Sequence, residues 1–154
     1  MIIEVVSENP DLRTIIRIIK ILENDGLIVI PTDTIYAFAV SIKSKKAIRR
    51  LASIKKVKLN KAKFSLICKD ISDISSFTLP VNRNIFRIMK SSLPGPFTFI
   101  LKANNSVSKI FDNKKKELGL RVPNHNFVKS LVNELGYPLI CSSVNDDDKI
   151  IQYT

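Results

Sequence analysis

The sequence predicts an α/β fold: one domain with a twisted mixed sheet flanked by helices around a concave basic cleft. Three observations point there. Apolar residues recur at helical spacing in several separate segments. Short continuous apolar runs of strand length lie between them. Helical and strand-like segments then alternate along 154 residues, a length that suits a single hydrophobic core.

The elements follow in order. Asn9 is a candidate helix cap with Pro10 in the first turn, and Leu12, Ile15, Ile16, Ile19 and Leu22 then recur at helical spacing until Gly26. Leu27 to Ile30 is a short apolar run before Pro31 and predicts a strand buried on both faces. Ser44 caps a second expected helix that turns Ala47, Ile48, Leu51 and Ile54 inward. Phe64 to Cys68 reads as another buried strand, and Asp70 as the cap of a short helix. A helical stretch near 84–90 breaks at Leu93-Pro94-Gly95-Pro96, which hands the chain to a strand over Phe97 to Lys102. Leu118 to Val122 is a short strand. Asn124 is then expected to cap a helix that buries Phe127, Leu131, Val132 and Leu135, stops at Gly136 and leads to a strand from Leu139 to Ser142.

Charge narrows the function classes. The formal net charge is +11, and ten of the 25 basic residues fall between Lys43 and Lys63, while no acid occurs from Thr34 through Lys69. Such a segment suits an anionic partner, a nucleotide or RNA, although a Lys-rich composition gives the same count without function. No apolar run is long enough to cross a bilayer. Glu4 and Glu8 stand where a leader would carry positive charge, so a cytoplasmic location is expected. Cys68 and Cys141 sit inside apolar runs and read as core thiols, and with the single His125 they make no metal constellation. No metal ligands are expected from the protein itself. Neither a GxxxxGK[ST] loop nor a GxGxxG turn is present, so a nucleotide would need another construction.

Ligands of open α/β sheets bind beyond strand carboxyl ends, which makes polar groups at those ends the candidates. Pro31-Thr32-Asp33-Thr34-Ile35-Tyr36 offers two hydroxyls, a carboxylate and a phenol after the first strand, or forms a simple turn. Arg121, before Pro123, can grip a phosphate or carboxylate with paired donors, or pair as an edge-strand residue with a nearby acid. Ser142-Ser143-Val144-Asn145 can hold phosphate or ribose oxygens, or cap a helix entering Asp146 to Asp148.

These segments, in this order, resemble the YrdC/YciO-type threonylcarbamoyl-AMP synthase family. The resemblance rests on Pro31 to Tyr36, Ile54-Lys55 with its clustered lysines, Leu93 to Thr98, Gly119 to Pro123 and Ser143-Val144-Asn145. It implies a YrdC-like fold binding ATP with Mg2+ and L-threonine, with bicarbonate as the third substrate. The product would be threonylcarbamoyl-AMP, which a separate threonylcarbamoyl transferase uses on tRNA. Residue by residue it implies that Thr32, Thr34 and Tyr36 shape the threonine pocket with Arg121. Lys55, Lys58, Ser65, Thr98, Ser143 and Asn145 would hold the nucleotide, with Lys55 and Arg121 also acting in catalysis. Ala37 and Ala39 stand where the family carries glycine, and Lys58 is the nearest basic residue where it carries arginine. Relative to the family the single domain is expected to be short at its C-terminus. A non-catalytic domain that binds double-stranded RNA through its basic surface is the alternative.

Overall fold

The computed structural model describes residues 1–111 and 116–145. In chain order the elements are α1 (Leu12–Glu23), β1 (Leu27–Ile30), β2 (Ala37–Ser41), α2 (Lys45–Ile54), a 3-10 turn (Leu59–Lys61), β3 (Ser65–Ile67), α3 (Ile71–Ser75), α4 (Arg83–Ser92), β4 (Phe99–Lys102), α5 (Asn105–Phe111), β5 (Glu117–Arg121), α6 (Asn126–Leu135) and β6 (Leu139–Ser143). The strands form one six-stranded sheet in the order β1-β2-β6-β3-β5-β4. β3 and β5 run parallel, and the other neighbours are antiparallel. The expected mixed sheet with helices is therefore the fold observed.

Side-chain alternation divides the sheet into two faces. Phe38, Val40, Leu66, Leu118, Leu120 and Ile140 point to a core completed by α2, α3, α4 and α5. Ala37, Ala39, Ile67, Leu139 and Cys141 point the other way, to a second core with α1 and α6. Each fully buried Leu or Ile contributes roughly 1.5–3 kcal/mol by leaving water, so Leu51, Leu66 and Leu131 are fixed points of the two layers. α1 and α6 reach across β1, β2, β6 and β3. On this face no helix covers β4 and the start of β5, and Ile100, paired in register with Gly119, is 69% exposed, while Arg121 at the end of β5 is buried.

Several local expectations hold. The Ser44 hydroxyl accepts the Ala47 N–H at 3.1 Å, and the Asp70 carboxylate accepts the Asp73 N–H at 2.8 Å. Gly136 ends α6 at φ +80°, a left-handed conformation that side chains resist.

Others are corrected. Asp11, rather than Asn9, caps α1, its carboxylate accepting the Thr14 N–H, which leaves Pro10 outside the helix. Leu12 and Ile16 face solvent, because the buried stripe is Ile15, Ile18 and Leu22. β1 is an edge strand with Val29 43% exposed, so it is not covered on both faces. β2 and α5 form in stretches where no element was expected. His125 occupies the cap position of α6, since the Asn124 side chain is taken by Lys129, whose Nζ donates to its Oδ1 at 3.0 Å. Asp146 to Asp148, and with them the helix-cap alternative for Ser143, lie outside the described residues.

Both thiols are core groups. Burial pushes Cys141 up to about 12, against an opposing pull from the Arg121 guanidinium, and burial together with Asp73 raises Cys68 well above the ordinary range. Each thiol holds its proton more tightly folded than unfolded. Their contribution to stability is therefore complete below the unfolded thiol value of about 8.5 and declines as pH rises from there toward the folded values. At pH 8 a thiol-reactive dye should label neither cysteine until urea unfolds the chain. Rapid stoichiometric labelling of the folded protein would contradict this placement.

Candidate functional site at the strand ends

Segment 31–36 joins β1 to β2 and is organised by its own side chains. The Thr32 hydroxyl donates to the Ile35 carbonyl at 2.6 Å and accepts the Thr34 N–H at 3.1 Å, and the two threonine hydroxyls lie 3.1 Å apart. Asp33 then ties the segment to the far end of β5. Its Oδ1 pairs with Arg121 Nη2 at 3.2 Å, and its Oδ2 accepts the Asn124 N–H at 2.8 Å. Arg121 Nη2 also donates to the Thr34 hydroxyl at 3.1 Å. The sequence left Asp33 without a clear role, because a carboxylate near phosphates needs a positive neighbour. Arg121 is that neighbour.

Arg121 belongs to an interior strand, not to an edge, and it is 8% exposed. Its Nε is buried without a hydrogen-bond partner among the described residues. An orphaned buried donor costs roughly 1–3 kcal/mol.

At its other end, segment 31–36 meets β6 and α2. Val144 N–H donates to the Tyr36 carbonyl at 3.0 Å, and Ala37 pairs in register with Ser143. Lys55, the C-cap of α2, reaches over to donate from Nζ to the Ser143 carbonyl at 2.9 Å and stands 5.9 Å from the centre of the Phe38 ring. The segment thus joins Lys55 and Ser143 at one end to Arg121 at the other. Asn145 is exposed just past β6, and Tyr36, whose carbonyl accepts the Val144 N–H, is 62% exposed.

The floor is made by β3, β5 and the start of β4. Ser65 pairs with Gly119, and a Cβ on Gly119 would stand 2.5 Å from the Ser65 Oγ and 3.1 Å from the Thr98 Cγ2. Glycine at 119 therefore lets Ser65 and Thr98 approach each other across the strand. The turn before Thr98, with a cis Leu93-Pro94 bond, is held to β5 by the Gly95 N–H on the Val122 carbonyl at 2.9 Å. Lys58 is exposed at the cap of the 3-10 turn and makes no contact with the other candidates among the described residues. Ala37 and Ala39 are strand residues buried under α1 and α6, and neither needs a positive φ. Their methyl groups pack in the second core, so no glycine is demanded by the backbone there.

A family model described as Sua5_yciO_yrdC, telomere recombination, matches residues 20–154. This chain belongs to the Sua5/YciO/YrdC family. The uncharacterised protein YciO of Escherichia coli (strain K12) is 35% identical over 138 residues, covering 89% of this chain and 66% of YciO. The threonylcarbamoyl-AMP synthase of Nitrosococcus oceani is 28% identical over 126 residues, covering 82% of this chain and 68% of that enzyme. The chain thus spans about two thirds of the length of these relatives. Among solved structures, E. coli YciO superposes with a TM-score of 0.82 at 34% identity, over 91% of this chain and 68% of that one. P. abyssi Sua5 complexed with L-threonine gives 0.83 at 19% identity, over 94% of this chain and 42% of that one, a likeness of fold.

Sequence reasoning named the main polar groups but missed the Asp33–Arg121 tie and the role of Gly119 as a gap between two hydroxyl-bearing residues. Gly119→Val should cost ~1–3 kcal/mol by overpacking the floor, and adding Ser65→Ala should recover part of that loss. Urea unfolding of the single and double variants measures both. A neutral Gly119→Val would mean that the floor is looser than described.

Proposed function

We propose that this protein is an L-threonylcarbamoyladenylate synthase, forming threonylcarbamoyl-AMP and pyrophosphate from L-threonine, bicarbonate and ATP, for threonylcarbamoyladenosine modification of tRNA. The observation that carries the reading is the span of segment 31–36, which joins an arginine-and-hydroxyl end tied to β5 to the β6 end where Lys55 meets the Ser143 carbonyl. Membership of a family in which relatives are named threonylcarbamoyl-AMP synthase, and a fold neighbour complexed with L-threonine, support it.

In this reading the threonine carboxylate approaches the Arg121 end, where Nε has a donor to give and the Thr32 and Thr34 hydroxyls stand together. Tyr36 closes the side of that pocket. The nucleotide lies toward Lys55, Ser143 and Asn145, over the floor of Ser65 and Thr98, with Lys58 at the rim. Threonine's amine nitrogen bonds to the carbon of bicarbonate and water leaves, giving a carbamate. A carbamate oxygen then bonds to the α-phosphorus, and the bond to the β-phosphate oxygen breaks as pyrophosphate departs with its electron pair. Negative charge grows on the phosphate oxygens, and fixed cations such as Lys55 stabilise it without becoming covalently involved. Among the described residues no three His, Cys, Asp or Glu side chains gather into a metal site. Magnesium in this reading arrives on the triphosphate and supplies charge neutralisation there.

A second reading, a double-stranded RNA-binding domain without synthesis, is favoured by one feature: α2 exposes Lys45, Lys46, Arg49 and Arg50 in a segment that lacks acids.

Pyrophosphate release should require ATP, bicarbonate and L-threonine together, and Lys55→Ala should lower it about tenfold or more, one charge-assisted contact being worth ~1.5–3 kcal/mol. Lys45→Ala/Lys46→Ala should leave release unchanged. Release that proceeds equally without L-threonine would overturn the proposal. An inactive protein whose duplex-RNA affinity falls with salt and with the Lys45/Lys46 change would favour the second reading.

A further inference from the structure

β3 and β5 are adjacent and parallel, yet the chain leaves them toward opposite faces of the sheet. After β3, α3 places Ile74 in the core shared with α2 and α4, whereas after β5, α6 places Phe127 and Leu131 in the core shared with α1. Parallel neighbours whose connections part in this way leave a crevice outside their carboxyl ends, the place where open α/β sheets hold ligands. Here the crevice has a volume of about 460 Å3 and is bounded by Lys69, Asp70 and Ser72 after β3, Lys90 and Pro94 from the end of α4, and Lys129 of α6. It continues along α6 to Ser130 and Asn133.

The charges in it are unevenly matched. Asp70 brings one carboxylate, and its Oδ1 is engaged by the Asp73 N–H at 2.8 Å as the cap of α3. Lys129 Nζ is held at 3.0 Å by the Asn124 side chain, an uncharged partner. Among the described residues, neither Lys69 nor Lys90 enters an ion pair. The Asp73 carboxylate stands beside Lys69, accepting its backbone N–H at 3.2 Å, so three ammonium groups face two carboxylates, with the Ser72 and Ser130 hydroxyls nearby, in a crevice that still has more cations than anions. Lysine is a point-charge partner for phosphate and does not need the fork geometry of arginine.

We propose that this crevice is a second anion site, which takes the phosphate group of a small phosphorylated molecule and is separate from the Lys55 end of the strand-end site. The lysines converge from three elements on a recess, which suits a compact phosphate or pyrophosphate group. A nucleic acid duplex would instead call for cations spread over a broad face. This site stands independently of the synthase reading.

The test is an amide NMR titration of the whole chain with inorganic phosphate, pyrophosphate and AMP in turn, at constant ionic strength with chloride as control. Saturable shifts are expected at Lys69, Ser72 and Lys129. In Lys69→Ala/Lys90→Ala, both exposed positions, the affinity should fall by more than about tenfold, the loss expected for a single charge-assisted contact, since two are removed. In Lys55→Ala it should be unchanged. A response to AMP but not to the inorganic anions would assign the site to nucleotides, and the reverse to free phosphate. Shifts that chloride reproduces, that Lys55→Ala abolishes, or that appear with duplex RNA alone would overturn the proposal.

Discussion

The strand-end site depends on Asp33 meeting Arg121 across 88 positions of sequence. Both side chains are nearly withdrawn from water, at 11% and 10% exposure, so each charge would be expensive without the other. The cost is offset by two neutral partners, since the Thr34 hydroxyl joins the guanidinium and the Asn124 N–H joins the carboxylate. Because Asp33 sits mid-segment, the same contact fixes where Thr32 and Thr34 present their hydroxyls. It also leaves the buried Arg121 Nε without a hydrogen-bond partner among the described residues.

The sheet makes room for that pair by being covered unequally. Helices α1 and α6 seal β1, β2, β6 and Ile67, and the small residues Ala37 and Ala39 let them lie close to the sheet. Beyond them β5 and β4 carry Gly119 and Ile100 on an uncovered surface. A protein core leaves such a face only where something else occupies it or where a ligand is handled. The opposite face has no such gap, as α2 to α5 pack against Phe38, Leu66, Leu118 and Leu120.

Local signals were legible where one residue decides the geometry. Ser44, Asp70 and Gly136 end or begin helices through a single hydrogen bond or a single dihedral angle, and those positions could be read from residue type. Leu27 to Ile30 could not be placed so well, because a four-residue apolar run does not say whether its strand lies at an edge. β2 was hidden because all five of its residues are buried, so no alternation marks it after the polar turn. In the site, residue types named Arg121 and the threonines, and the family resemblance named Lys55. Pairing could not be named. Asp33 finds Arg121, and Lys55 finds the Ser143 carbonyl, through strand order that is set by the whole chain. The switch-point crevice is legible in topology for the same reason, as Lys69, Lys90 and Lys129 share no local pattern.

A double-mutant cycle on Asp33→Asn and Arg121→Met, read by urea unfolding, tests most directly whether this pair holds segment 31–36 against β5. A real tie predicts that the two substitutions together cost less than the sum of each alone, with a coupling of ~0.5–3 kcal/mol. Strictly additive losses would contradict the account, since they would mean that the two side chains are neighbours without being partners.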